Sequence, residues 1–158
     1  MKEFGGCPGS RMFSFEKDGS QDETPTGRVQ SQLRQWPIQL HLVSPTAPYY
    51  QGADVLLAAD CVPFTMGNFH ADFLKGKALA IACPKLDQGQ EIYIEKIKAW
   101  FEEAEINSLT VLIMEVPCCN GLVGITVRAL EESGRKVPVK YTVVGLNGDV
   151  LNEEWISF

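Results

Sequence analysis

No segment of this 158-residue chain approaches the roughly 20 consecutive apolar residues that a membrane-spanning helix requires. Basic residues are scarce: 14 Lys and Arg face 20 Asp and Glu, for a net charge of −6. That balance excludes the basic patch of a nucleic-acid surface and disfavours docking to an anionic membrane. The first residues, Met1-Lys2-Glu3-Phe4-Gly5-Gly6, lack the apolar core of a secretory signal, so the expected location is the cytoplasm. There is no Cys-x-x-Cys, which excludes the bacterial ferredoxin run and a ribbon-type zinc site. There is no G-x-G-x-x-G and no Walker sequence, so no phosphate-binding glycine loop is expected. Histidine is limited to His41, in a strand-like run, and His70, in a helical stretch; both read as structural. Ser10, Ser44 and Thr65 have no evident His or Asp partners for nucleophilic chemistry.

What is present is an ordinary globular composition, 45% hydrophobic and 22% charged, in a length that suits one domain. Residues 1–36 differ from the rest, with several glycines and few aliphatics, and read as an irregular N-terminal arm. Residues 37–158 alternate strand-like and helix-like segments and read as a single α/β domain. Strands are expected at Ile38–Val43, Val55–Ala59, Ala78–Ala82, Leu109–Met114 and Val139–Val144. The central three are continuous apolar runs, as strands covered on both faces are. Helices are expected at Gly67–Lys75, Glu91–Ala104 and Gly121–Ser133, the first and last closed by Gly76 and Gly134. Asn147-Gly148 predicts a tight turn, with Val150–Leu151 returning as an antiparallel edge. The fold class that follows is a three-layer α/β domain, flavodoxin-like, with a mostly parallel sheet of about five strands.

Five cysteines occupy four segments, each beside a proline: Gly6-Cys7-Pro8-Gly9, Asp60-Cys61-Val62-Pro63, Ala82-Cys83-Pro84 and Val116-Pro117-Cys118-Cys119. The last three follow the three buried runs, whose ends share one edge in a parallel sheet, where open α/β folds bind ligands. An odd number of thiols in a reducing compartment points to metal or catalytic chemistry rather than disulfides. Thiolates are the ligands of iron–sulfur clusters, four for a [4Fe–4S] centre. Proline fixes φ and lacks an N–H, so it ends the strand and turns the chain away. Thiols delivered to one edge from three strands, with Cys7 on a fourth segment, suggest a shared partner, and the sharpest candidate is an iron–sulfur cluster. Successive residues of an extended segment face opposite sides, so Cys118 and Cys119 are not both expected as ligands. Free N–H groups at the following helix start are expected to lower a thiol pKa there. Asp60 and Glu115 adjoin the proposed ligands; Lys75, Lys85 and Arg11 are placed to offset cluster charge. Against this stands the ordinary behaviour of buried Cys as a small hydrophobe, which applies most to Cys61 and Cys83.

Several stretches resemble a family of prokaryotic iron–sulfur cluster-binding, ferredoxin-like oxidoreductase proteins found largely in anaerobes. They are Ser31-Gln32-Leu33-Arg34-Gln35-Trp36-Pro37-Ile38-Gln39-Leu40-His41-Leu42, Ala58-Ala59-Asp60-Cys61-Val62-Pro63-Phe64, Phe69-His70-Ala71-Asp72-Phe73-Leu74-Lys75-Gly76-Lys77, Ala82-Cys83-Pro84-Lys85-Leu86-Asp87 and Met114-Glu115-Val116-Pro117-Cys118-Cys119-Asn120-Gly121. Gly6-Cys7-Pro8-Gly9-Ser10 also matches. Members commonly carry a ferredoxin module ahead of this region, and this sequence starts without one. The resemblance implies a [4Fe–4S] cofactor on those cysteines, and an electron-transfer protein or oxidoreductase subunit. Its partner would be a separate ferredoxin-like or oxidoreductase protein. Two alternatives remain: a disulfide or persulfide enzyme using Cys118 and Cys119, and a metal-free or zinc-binding interaction domain.

Overall fold

The structure, a computed structural model, describes residues 2–4, 12–14 and 27–157. Three short strands, β1 (Lys2–Phe4), β2 (Met12–Ser14) and β3 (Gln35–Trp36), pair antiparallel. The main sheet has five strands: β4 (Asp54–Ala59), β5 (Ala78–Ala82), β6 (Ser108–Met114), β7 (Val139–Val144) and β8 (Val150–Trp155). Their order is β5-β4-β6-β7-β8. The first four run parallel and β8 returns antiparallel from a turn at Gly148. The five-strand, mostly parallel, flavodoxin-like α/β fold expected from the sequence is what forms.

The strand interiors explain the sheet. Val55, Leu56, Leu57 and Ala58 in β4 are fully buried, as is Val111 in β6. Such strands need cover on both faces, and each fully buried Val or Leu contributes about 1.5–3 kcal/mol. Helices α2 (Gln90–Glu102) and α3 (Asn120–Ser133) pack side by side and cover one face. Tyr93, Ile94, Ile97, Trp100 and Phe101 of α2 are buried, at the 3 and 4 spacing of a helix stripe. Right-handed crossovers place the β4–β5 connection on the opposite face. That connection holds the four-residue helix α1 (Val62–Thr65) and a π-helical turn at His70–Leu74, whose Val62 and Leu74 are buried. Gly76 and Gly134 end these segments with positive φ, as expected of cap glycines.

One expected strand is not there. Ile38–Val43 makes a lone parallel bridge, Gln39 with Ile81, and then turns, with Leu42 and Val43 N–H both donating to the Gln39 carbonyl. Pro37 and Pro45 confine the run, and the cation of Lys96 on α2 gathers the carbonyls of Leu40, His41 and Val43 at 2.9, 2.8 and 2.9 Å. At the bridge, Ile81 N–H donates to the Ile38 carbonyl and Leu40 N–H to the Ile81 carbonyl; at Leu79 the outer edge of β5 is satisfied by a side chain. Buried Gln35 accepts from Leu79 N–H at 3.0 Å and donates to the Leu79 carbonyl at 2.6 Å, copying a strand neighbour. The helix expected at Gly67–Lys75 is only the five-residue π turn. Among the described residues, no helix is long and apolar enough to cross a membrane.

Candidate functional site

The parallel register decides which loops meet. Ala59 of β4 stands beside Ala82 of β5, and Ala58 beside Leu112 of β6. The strands that precede Cys61, Cys83 and Cys118-Cys119 are therefore three neighbours, about 4.8 Å apart, with β4 in the middle. All four cysteines lie at the carboxyl edge. The chain leaves β4 toward β5 and later crosses back to β6, so strand order reverses between β4 and β6. That reversal opens a crevice at the carboxyl ends of open α/β sheets. Cys61 flanks it on one side and the Cys118-Cys119 turn on the other.

Each segment has its own local cause. Cys61 precedes α1, with Pro63 in the first turn, and is exposed. Pro117–Cys119 forms a single 3-10 turn leading straight into α3, with Cys118 exposed and Cys119 buried. Cys83 begins a tight loop tied at both ends to Asp87. Cys83 N–H donates to Asp87 Oδ2 at 2.9 Å, Asp87 N–H donates to the Cys83 carbonyl at 2.9 Å, and Leu86 N–H donates to Cys83 Sγ at 3.4 Å. A sulfur that receives a backbone N–H is better able to carry negative charge. Gly121, at the start of α3, sits against Pro84: a Cβ there would meet the Pro84 Cβ at 3.2 Å. The absence of a side chain at Gly121 lets the Cys119 and Cys83 segments approach.

Two expectations about the paired thiols are corrected. The segment is helical rather than extended, so the strict alternation of a strand does not govern Cys118, which is exposed, and Cys119, which is buried. The Cys119 thiol is also pushed up, not down. Burial is the main cause, the charges of Cys118 and Cys61 add to it, and a backbone hydrogen bond at Met114 opposes it.

Beside Cys83 lies a network the sequence reading missed. Tyr93 Oη donates a very short hydrogen bond to Asp87 Oδ2, and the His41 ring packs on Tyr93 with centroids 4.2 Å apart. The Tyr93 hydroxyl is raised well above its ordinary value, by burial first, then by Asp87, with smaller effects of Asp60 and Cys83. The Asp60 carboxyl is raised by burial and by the charge of Asp87, and its Oδ1 is buried without a hydrogen-bond partner. The signal in the sequence was an acid four residues after a cysteine, followed by a tyrosine one turn into an amphipathic helix. Glu115 is exposed on the loop after β6. Lys85 is exposed beside Cys83-Pro84, whereas Lys75 stands just ahead of β5, at the opposite edge of the sheet. Cys7 and Arg11 lie outside the described residues. Among the described residues, no three His, Cys, Asp or Glu side chains are grouped closely enough to hold a single metal ion.

Residues 47–157 match the family model of a Rossmann-like domain. The chain belongs to the Rossmann-like domain family. A protein of Archaeoglobus fulgidus, recorded as uncharacterized, is 33% identical over 119 residues, which cover 75% of this chain and 83% of that protein. No solved structure matches the chain significantly. Dinucleotide-binding Rossmann domains carry glycines in the first strand-to-helix turn, where the backbone must approach a pyrophosphate. In this Rossmann-like chain that turn is Asp60-Cys61-Val62-Pro63, followed by a helix of only four residues. It offers no cradle for a pyrophosphate, and a dinucleotide does not fit it.

Proposed function

We propose that this protein binds a [4Fe–4S] cluster at the carboxyl edge of its sheet and serves in the cytoplasm as an electron-transfer protein or oxidoreductase subunit. The observation that carries the reading is the delivery of Cys61, Cys83 and the Cys118-Cys119 turn to one edge by three adjacent parallel strands. The donor chemistry fits, since thiolates are the ligands such clusters take. A cubic cluster is held at separate corners, so its ligands need not converge on one point as those of a lone ion do. Cys61, Cys83 and one of Cys118 and Cys119 would hold it, with Cys7 as the fourth ligand implied by the family resemblance. When bound, the cluster supplies one-electron exchange with a separate redox protein.

The chain's own groups would act around it. Leu86 N–H directs a hydrogen bond at Cys83 Sγ, and hydrogen bonds to ligand sulfurs raise the potential of such centres. Asp87 and Tyr93 hold the Cys83 loop in shape. Exposed Cys61 and Cys118 would leave the centre close to solvent and therefore close to a partner.

The test is metal content in cysteine variants of protein prepared without oxygen. Cys61→Ser and Cys83→Ser should each lose at least half of the bound iron, and of the pair Cys118→Ser and Cys119→Ser only one should. Full iron in both Cys61→Ser and Cys83→Ser would show the ligand assignment to be wrong. A second reading rests on the adjacency of Cys118 and Cys119 in one turn at the sheet edge: a thiol enzyme that cycles this pair, two protons and two electrons leaving for an external acceptor as the sulfurs join. Iron-free protein with one cysteine alkylated far faster than the others would favour it.

A further inference from the structure

Among the described residues, the loops that surround the thiols carry apolar side chains that stay exposed. Phe64, in the turn after Cys61, is 92% exposed. Leu86, in the loop after Cys83, is 78% exposed, and Leu146, after β7, is 63% exposed. Single exposed apolar residues are ordinary, but these three share one edge of one sheet. In strand order the edge reads Leu86 after β5, Phe64 after β4, Cys118 after β6 and Leu146 after β7. Four adjacent strands span about 14 Å at the usual spacing. The β7–β8 turn reaches back across the row, because Gly148 lies against the backbone of Thr65, next to Phe64.

Charge on the same edge has one dominant sign. Asp87, Glu115 and Asp149 stand on these loops, and Lys85 is the one cation among their described residues. An apolar centre ringed by carboxylates is the complement of a surface with an apolar centre ringed by lysines. Such pairing steers encounter and sets orientation, while the apolar contact supplies the holding energy.

We propose that this carboxyl edge is the docking face for a basic redox protein, seated on Phe64, Leu86 and Leu146 with its lysine rim against Asp87, Glu115 and Asp149. The inference rests on the cluster reading for its purpose, because the same face brings a partner to the exposed Cys61 and Cys118. It adds the position of the interface and the charge of the partner. A surface of this size and composition fits a short-lived encounter rather than a permanent complex.

Cytochrome c, a basic protein whose haem edge is apolar and ringed by lysines, is the probe. It would be titrated into the isotope-labelled full chain at low salt while amide shifts are recorded, with iron measured in the same sample. The expected result is shifts at Phe64, Leu86 and Leu146. Phe64→Ser should weaken binding by about 5- to 10-fold, as loss of an aromatic anchor does. Asp149→Lys, or raising salt to about 0.3 M, should weaken it by a similar factor. Both substituted side chains are exposed, so the fold should survive and any loss reports on the surface.

Shifts confined to β8, where Glu153 and Glu154 also attract a cation, would overturn the assignment. So would an absence of shifts at low salt, or binding indifferent to Phe64→Ser. A dimer in light scattering that dissociates with Phe64→Ser would assign the face to a second copy instead. Docking by protein that holds no iron would keep the face and remove the cluster reading; iron-loaded protein that does not dock would remove the face alone.

Discussion

Gly148 couples the β7–β8 turn to the loop that follows Cys61, and replacing it by alanine measures that contact. Its φ is +92°, and a Cβ built there would lie 2.4 Å from the Thr65 carbonyl oxygen and 3.8 Å from Met66 Cα. Two costs add. A non-glycine residue at positive φ costs about 1–2 kcal/mol. Forcing an atom into packed backbone costs about 1–3 kcal/mol more, because neither side can rotate away as a side chain would. Gly148→Ala should therefore lose about 2–5 kcal/mol. Gly134→Ala isolates the first cost: φ is +64° there, but nothing lies within 4 Å of the added carbon. It should lose only the conformational part. Urea unfolding of both variants measures the difference, and each kcal/mol corresponds to about 2–4 °C in Tm for a chain of this size. Displacement of Thr65 would pass to α1, so Gly148→Ala should also change the alkylation rate of Cys61. Equal losses in the two variants would refute the contact between the turn and α1.

Other outcomes follow from named contacts. Gln35→Ala removes the partner of Leu79 N–H on a buried strand edge and should cost about 1–3 kcal/mol in urea unfolding, with faster amide exchange at Leu79. Lys96→Met strips the donor from three carbonyls and should destabilise by a similar amount, about 1–3 kcal/mol, while leaving iron content unchanged. Asp54 accepts from Ser108 Oγ at 2.7 Å and Asn107 Nδ2 at 2.6 Å, and these bonds hold its carboxyl below its ordinary value. Its folded pKa is the lower one, so its stabilisation is present above the ordinary carboxylate range and is lost as pH falls through the depressed value. Asp54→Ala should thus cost less than about 1 kcal/mol at pH 7, because the site is open to water, and the gap to the parent should close under acid.

The fold was legible where one rule acted alone. Val55–Ala59 and Ala78–Ala82 read as strands because burial on both faces leaves a continuous apolar run, and nothing local competes. The α2 stripe of Ile94, Ile97 and Phe101 read true for the same reason, with Ala104 buried just past the helix end. Ile38–Val43 misled because its apolar residues meet the core through a turn. Leu40 and Val43 are buried three apart while Leu42 is 49% exposed, a spacing that belongs to a turn rather than a strand. What holds that turn, the Lys96 cation, comes from distant sequence and leaves no local mark.

The site was partly legible. That Cys61, Cys83 and Cys118-Cys119 share an edge follows from parallel strands and needs only the strand assignments. The relation between Cys118 and Cys119 did not follow, because Val116-Pro117 led into a helical turn where an extended segment was expected. Cys83 proved to be built into a loop by Asp87 and Tyr93, a device that depends on where α2 packs. The exposure of Phe64 and Leu86 was not read from the sequence, because it depends on where the loops that carry them stand relative to the sheet.

The central claim is that these thiols hold a redox-active cluster. Its most direct test is iron and acid-labile sulfide per chain in protein purified without oxygen, with absorption spectra before and after dithionite. The account predicts about four iron and four sulfide with bleaching on reduction. Protein that stays free of both after anaerobic reconstitution would contradict it.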